Sequence, residues 1–147
     1  AHEAGVRFYD DSKSSTPDAT RTALRALGET SRLDRVHLIC GGYDKGLDLQ
    51  PLARCALELA TTHAIGATGP RIAEHAATLG ADRCQRHATL DEAFEAIVHQ
   101  VRRDEVVLLS PGCASWDQFP DFRARGERFT QLAERWTRNH ALTESQP

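Results

Sequence analysis

The 147-residue chain is 40% hydrophobic and 27% charged, which is enough apolar material for one globular domain of ordinary size with a buried core. Its 18 Lys and Arg residues and 21 Asp and Glu residues give a formal net charge of -3, without the basic surplus that nucleic acids and anionic membranes attract. We therefore expect no nucleic-acid or membrane partner. Because neither a run of about 18 apolar residues nor a basic-then-apolar N-terminal segment occurs, we expect no membrane span and no signal peptide, and a soluble protein of the cytoplasm.

Short apolar runs bounded by polar residues and glycines predict five β-strands. In chain order they cover residues 6–9, 36–40, 63–67, 82–86 and 106–109, and the second and fifth are the most strand-like. Helical patterns separate these runs. Three helices are predicted to begin at prolines, which a first helical turn tolerates: Pro17, Pro51 and Pro70.

Two further helices are predicted from apolar residues that recur on one face. The fourth helix has the spacing of Leu90, Ala93, Phe94, Ile97, Val98 and Val101. The last helix has a stripe of Phe122, Phe129, Leu132, Ala133 and Trp136. We assign residues 1–141 to one domain and expect residues 142–147 to form a disordered tail. His63, His75, His87 and His99 recur every 12 residues, but their neighbours do not, so we interpret the spacing as coincidence.

The alternation of strands with crossover-length helices predicts the fold class. We expect an α/β fold with a doubly wound, mostly parallel, Rossmann-like sheet covered by helices on both faces. Ligands of such sheets bind beyond the carboxyl ends of the strands. This rule selects three loops as the candidate site, namely those at residues 10–16, 41–48 and 110–119.

The first two loops are rich in polar groups and glycine. The first reads DDSKSST and offers two carboxylates, an ammonium and several hydroxyls, although a solvated turn with Thr16 as the helix cap explains it equally well. The second reads GGYDKG, in which the glycines allow close approach of the backbone and Lys45 supplies a positive charge for an anionic ligand. The sequence has no GxxxxGK[ST] motif, so we do not expect this chain to bind ATP well alone.

The third loop, SPGCASWD at residues 110–117, presents small residues, backbone N–H groups and the Ser115 hydroxyl just before the last helix. A carboxylate could bind there, since helix N-termini favour anions. A serine nucleophile is not expected, because the G-x-S-x-G elbow is missing. Cys113 is also a poor nucleophile candidate, because no histidine is evidently placed beside it. Because Cys40, Cys55, Cys84 and Cys113 lack CxxC spacing, we expect free thiols and no metal site.

Together the three loops resemble the signatures of the C-terminal domain of the MurD-type muramyl ligases. The family has a D-S-K loop after its first strand, a G-G-x-x-K-G loop and an L-S-P-x-C-A-S-x-D-x-F segment, and this chain has them at 11–17, 41–46 and 109–119. The stretch RGERF at 125–129 is similar to the family's R-G-x-x-F helix. The resemblance covers nearly the whole chain, and three motifs in the family's order are a specific signal.

The resemblance implies a ligase that uses ATP and Mg²⁺ to convert a carboxylate of UDP-N-acetylmuramoyl-L-alanine into an acyl phosphate, which the amine of D-glutamate then attacks. It assigns Asp11 and Lys13 as catalytic residues that contact the nucleotide when domains close, Asp11 at the ribose and Lys13 at phosphate. It also places glutamate against Ser15, Lys45, Ser115, Trp116 and Phe122. ATP, Mg²⁺ and the UDP-linked substrate would be held mainly by domains that this sequence does not contain. We therefore expect the chain to bind no cofactor and to be inactive alone.

Three alternative interpretations compete with this one. Another muramyl or folylpolyglutamate-type ligase would share the fold and differ in the amino acid accepted, and a ligand-binding module without catalysis remains open. A response-regulator receiver is rejected, because it requires an Asp after its third strand and a Lys after its fifth. This chain has Ala67-Thr68-Gly69 and Ser110-Pro111-Gly112 there.

Overall fold

The computed structural model describes residues 5–144, and side chains up to residue 140. Strands and helices alternate along it. The strands are β1 (Arg7–Asp10), β2 (Val36–Gly41), β3 (Thr61–Ile65), β4 (Cys84–His87) and β5 (Val106–Leu109). The helices are α1 (Pro17–Gly28), α2 (Gln50–Cys55), α3 (Gly69–Thr78), α4 (Leu90–Val98) and α5 (Phe122–Glu144).

The five strands form one sheet in the order β1-β5-β2-β3-β4, and every adjacent pair is parallel. Helices α1, α2 and α3 contact one another on one face, whereas α4 and α5 contact each other on the other face. The predicted α/β fold with a parallel sheet and helices on both faces is therefore confirmed. The sheet, predicted to be mostly parallel, is parallel throughout.

Alternating side chains of the central strands feed two hydrophobic cores. In β2, Leu38 and Cys40 point toward α1–α3, whereas Ile39 points toward α4 and α5. All three are fully buried. A strand that is buried on both faces reads as a continuous apolar run, which is why β2 and β5 were the easiest strands to recognise.

The predicted helix starts agree with the structure to within one residue. The Thr16 hydroxyl accepts a hydrogen bond from the Ala19 N–H at 3.3 Å and so caps α1 in front of Pro17. Helices α2 and α3 each begin one residue before their proline. At the other end of the chain, α5 continues through Glu144, so it includes the first three residues of the segment expected to be a disordered tail, and residues 145–147 lie outside the described range.

Three strand predictions were displaced along the chain. The first strand was predicted at 6–9 but covers Arg7–Asp10. The third strand was predicted at 63–67 but covers Thr61–Ile65, and the fourth was predicted at 82–86 but covers Cys84–His87. The polar Thr61 and Thr62 hid the start of β3, although they are β-branched and pair with β2. Gly66, with a φ of 70°, ends the strand before Ala67.

A hydrogen-bonded row of polar side chains crosses the α4 side of the sheet. The His37 Nε2 lies 3.0 Å from Glu105 Oε1, and its Nδ1 lies 2.6 Å from Thr61 Oγ1. The same hydroxyl lies 2.9 Å from Nε2 of His63, whose Nδ1 lies 2.9 Å from His87 Nε2. His63 and His87 thus meet on neighbouring strands, although their sequence spacing was interpreted as coincidence.

Within the described part of the chain, no helix is both long and apolar enough to cross a membrane.

Candidate functional site

The three candidate loops meet at the carboxyl edge of the sheet around β5. The chain leaves β5 toward the face that holds α5, whereas it leaves the flanking strands β1 and β2 toward the opposite face. Loops that diverge in this way open a crevice between them, the usual ligand position in open α/β sheets. The topology therefore places the predicted loops on the two sides of one crevice.

Hydrogen bonds join the first loop to the third. The Ser110 hydroxyl donates to Asp11 Oδ2 at 2.7 Å, and the Gly112 N–H donates to the Ser14 carbonyl at 3.1 Å. The φ of Gly112 is 66°, and a Cβ there would lie 2.8 Å from both Leu52 and Thr20. A glycine therefore permits the turn that brings these loops together.

The second loop is joined to the third in the same way. The Tyr43 N–H donates to the Ala114 carbonyl at 2.8 Å, and the two residues form an isolated antiparallel bridge. A Cβ on Gly42 would lie 2.5 Å from that carbonyl, so only glycine allows the contact. The side chain of Asp117 extends the connection by accepting the Ala67 N–H at 3.0 Å, from the loop after β3.

A small cavity of about 230 Å³ lies where these loops converge. It is lined by all five residues expected to contact glutamate, Ser15, Lys45, Ser115, Trp116 and Phe122, together with Lys13, Ala114, Asp121 and Arg125. Since α5 begins at Phe122, the positive end of that long helix faces the cavity. The arrangement presents cations and hydroxyls to a small anionic ligand.

A second, larger cavity of about 670 Å³ lies beside the first, between the first loop and α5. Asp11 and Lys13, the residues expected to face a nucleotide, line it together with Phe122, Arg123 and Gln131. Lys13 and Phe122 line both cavities. A ligand in one cavity would therefore lie next to a ligand in the other, and Lys13 would border both.

An aromatic pair flanks the smaller cavity. The Trp116 ring lies 5.5 Å from the Tyr43 ring, and the Lys45 ammonium lies 5.1 Å from the centroid of a Trp116 ring. Trp116 is 61% exposed and Tyr43 is 40% exposed, which is unusual for large aromatic side chains. This cluster gives Lys45 an aromatic neighbour at the edge of the cavity.

Comparison with known proteins identifies the family. The family model for the Mur ligase glutamate ligase domain matches residues 1–113. The chain belongs to the Mur ligase family. It is 37% identical over 132 residues to the UDP-N-acetylmuramoylalanine–D-glutamate ligase of Hahella chejuensis, and 36% identical over 129 residues to that of Bacillus cereus.

The matched region is only part of these relatives. The alignments cover 89% and 88% of this chain but 29% and 28% of the two ligases. A murein peptide ligase from Psychrobacter arcticus has a similar structure, with a TM-score of 0.64 over 90% of this chain and 28% of its own. At 14% identity, that likeness shows the fold alone.

Arg125, a buried residue of this Mur ligase domain, also lies at the site. It was not among the site residues predicted from the sequence. It is 1% exposed and lies at the wall of the smaller cavity. Its guanidinium donates to the Ser12 hydroxyl at 2.9 Å, to the Ser12 carbonyl at 2.7 Å and to the Cys113 carbonyl at 2.9 Å. Burial lowers the pKa of Arg125 to about 10, partly offset by Cys113, Asp117 and Asp10, so the side chain stays charged at neutral pH.

The position of Arg125 in the sequence contained a usable signal. It lies three residues after Phe122 and four before Phe129, on the apolar stripe of α5 that faces the sheet. A charged residue on a buried stripe must find partners, because an unpaired buried charge is costly. Two loops supply them, and Arg125 thereby connects the first loop to the third.

Cys113 lies in the third loop but has the properties of a packed thiol. It is 2% exposed, and the nearest polar side-chain atom is the Thr68 hydroxyl, 3.5 Å from its sulfur. Burial raises the pKa of the Cys113 thiol, more than Arg125 and the Thr68 contact lower it. A thiol that resists ionisation is a weak nucleophile, in agreement with the sequence argument. All four cysteines are free.

Proposed function

We propose that this chain is the amino-acid-binding domain of a longer ATP-dependent ligase that adds D-glutamate to UDP-N-acetylmuramoyl-L-alanine. The observation that carries the proposal is the smaller cavity, because four side chains from all three loops converge on it together with Phe122 at the start of α5. Family membership and relatives whose names describe that same ligase support it. ATP, Mg²⁺ and the UDP-linked substrate would be bound mainly by the other domains of the longer protein.

The cavity suits glutamate because its charges are complementary to a dicarboxylate. We assign Lys45 to a substrate carboxylate, and Ser15, Ser115 and the backbone near Phe122 to hydrogen bonds with the rest of the molecule. The N-terminus of α5 adds a favourable field for negative charge. Several fixed contacts orient the substrate amine, and such positioning alone can lower the barrier to amide formation substantially.

The larger cavity is suited to the polar edge of a nucleotide. Asp11 is held by the Ser110 hydroxyl through one carboxylate oxygen, which leaves the other to accept a ribose hydroxyl. Lys13 is exposed, and among the side chains described at residues 5–140 no ion pair occupies its ammonium, so it can pair with phosphate. ATP would supply the phosphoryl group that activates the carboxylate of the second substrate. This chain contributes the charge of Lys13 between the two sites.

A ligase with another amino-acid substrate is the second candidate, because the murein peptide ligase from Psychrobacter arcticus shares the fold. The fold does not choose between amino acids. The choice of D-glutamate depends on the more similar sequence relatives and on the cations of the cavity, which are suited to a dicarboxylate.

The test is steady-state kinetics of the longer protein that carries this domain, identified by a Walker-type GxxGKT in the coding sequence within about 300 residues upstream. Lys45→Ala should lower kcat/KM for glutamate by about 10- to 150-fold, the value of a hydrogen bond to a charged group. The KM for ATP should change little. Arg54→Ala, which removes an exposed cation from α2, is the matched control. An unchanged kcat/KM in Lys45→Ala would remove Lys45 from the site.

A further inference from the structure

Lys13 and Lys45 are the only lysines in the sequence, and both lie at the smaller cavity. The other basic residues among the 18 lysines and arginines of the sequence are all arginines. Lys45 has no carboxylate partner among residues 5–140, the range in which side chains are described. The adjacent Asp44 instead accepts the Gly46 N–H at 2.8 Å and pairs with Arg71 at 2.8 Å, and these contacts lower the pKa of Asp44. The ammonium of Lys45 is thus free of an ion pair at the edge of the cavity.

The contact that does hold Lys45 is the face of Trp116, 5.1 Å away. A cation is attracted to an indole face, and this attraction strengthens when the pair is removed from water. The Tyr43 ring packs against Trp116 with ring centroids 5.5 Å apart and planes inclined by 59°, and the backbone bridge from Tyr43 to Ala114 joins the two loops. Trp116 therefore presents its face to the cation, and Tyr43 from the other loop supports the indole from the side.

We propose that Tyr43 and Trp116 form an aromatic platform that positions the Lys45 ammonium, so that Trp116 determines specificity for amino acids with a second carboxylate. The inference rests on the proposed function, because it assumes that the smaller cavity binds the amino-acid substrate. A flexible lysine side chain loses rotamer entropy when it binds. An aromatic face that restricts the side chain in advance reduces that cost, and it does not neutralise the charge as a carboxylate would.

The platform predicts a particular pattern of substrate discrimination. Glutamine has the shape of glutamate but lacks the second charge, so a positioned Lys45 favours glutamate over glutamine. Trp116→Leu should release Lys45 and raise the KM for glutamate by about 2- to 30-fold, with little change in kcat. The preference for glutamate over glutamine should fall by a similar factor. Trp116→Phe, which keeps an aromatic face, should restore most of both.

The positioning itself can be measured on this chain by NMR with lysine labelled at Cε. Two lysines give two signals, and Lys45→Arg assigns them. The Lys45 signal should be shifted upfield by the Trp116 ring. That shift should be lost in Trp116→Leu and partly retained in Trp116→Phe. Trp136→Phe, which changes the other tryptophan of the sequence in the α5 core, is the control and should leave the signal in place.

The outcomes separate the two proposals. A Lys45 signal that is the same in Trp116→Leu as in the unmodified chain would overturn the platform. So would a Trp116→Leu ligase with normal KM for glutamate beside a Lys45→Ala ligase with a raised one, and in that case the proposed function stands. If neither substitution changes the KM for glutamate, both the platform and the assignment of the cavity to the amino acid are wrong.

Discussion

Acidification should destabilise this domain through His63, because that side chain is buried in its neutral form. His63 is 0% exposed, and burial, with smaller contributions from His87 and His37, lowers its pKa to about 3 from the ordinary value of 6.5. The hydrogen-bonded row explains how the neutral form is satisfied. If His37 donates from Nε2 to Glu105, its Nδ1 accepts from Thr61, which accepts from His63 Nε2, whose Nδ1 accepts from His87.

Whether acid stabilises or destabilises the fold depends on which state, folded or unfolded, binds more protons. Between about pH 6.5 and pH 3, the unfolded chain protonates His63 and the folded chain does not. The contribution to stability is therefore complete above pH 6.5 and is lost as the pH falls through that window. One extra proton in the unfolded state corresponds to about 1.4 kcal/mol per pH unit. Because the unfolded histidine is only half protonated at pH 6.5, about 2 kcal/mol disappears between pH 6.5 and pH 4.5. His87, whose pKa burial also lowers, acts in the same direction.

Urea unfolding at pH 7, 5.5 and 4.5 measures this effect. His63→Gln should be less stable than the unmodified chain at pH 7, because the row is broken, but its stability should decline less steeply with falling pH. His99→Gln, at an exposed position of the same 12-residue series, is the control and should keep the original slope. Equal slopes for His63→Gln and the unmodified chain would refute the claim that His63 stays neutral when folded.

The remaining predictions concern the site and the isolated chain. Arg125→Met should lower the free energy of unfolding by about 3 kcal/mol or more in urea titrations, because two carbonyls and a hydroxyl lose a buried charged donor. A loss below about 1 kcal/mol would contradict the role of Arg125 in connecting the loops. Cys113→Ala should leave the longer ligase largely active, and loss of activity in a folded variant by circular dichroism would show that the thiol reacts. The 147-residue chain alone should melt in one cooperative transition and show no tight binding of Mg-ATP by calorimetry, whereas a micromolar affinity would indicate an autonomous nucleotide-binding protein.

The sequence was sufficient for the fold because its strongest signals are local. Apolar runs such as Val106–Leu109 and prolines at helix starts directly report strand burial and first turns. The displaced start of β3 shows the limit of this approach, because Thr61 and Thr62 pair in the sheet without being apolar. Strand order could not be read from the sequence, since it depends on which helices pack together. The rule for carboxyl ends nevertheless selected three loops that meet at one edge of the sheet.

The candidate site was predictable to the level of loops and individual polar side chains, but not to the level of their connections. Arg125 and Asp117 act through contacts with residues far away in sequence, Arg125 with Ser12 and Asp117 with Ala67. The contact of His63 with His87 likewise depends on the pairing of β3 with β4. Such long-range partners follow only from the assembled sheet.

The measurement that most directly tests the account is product formation by the longer protein that carries this domain. The purified protein would be incubated with ATP, Mg²⁺ and UDP-N-acetylmuramoyl-L-alanine, and given D-glutamate or another amino acid in parallel, with products identified by mass spectrometry. The account predicts a product one glutamyl residue heavier, formed with D-glutamate and strongly reduced in Lys45→Ala. A product formed from a different amino acid, or equal product from Lys45→Ala, would contradict it.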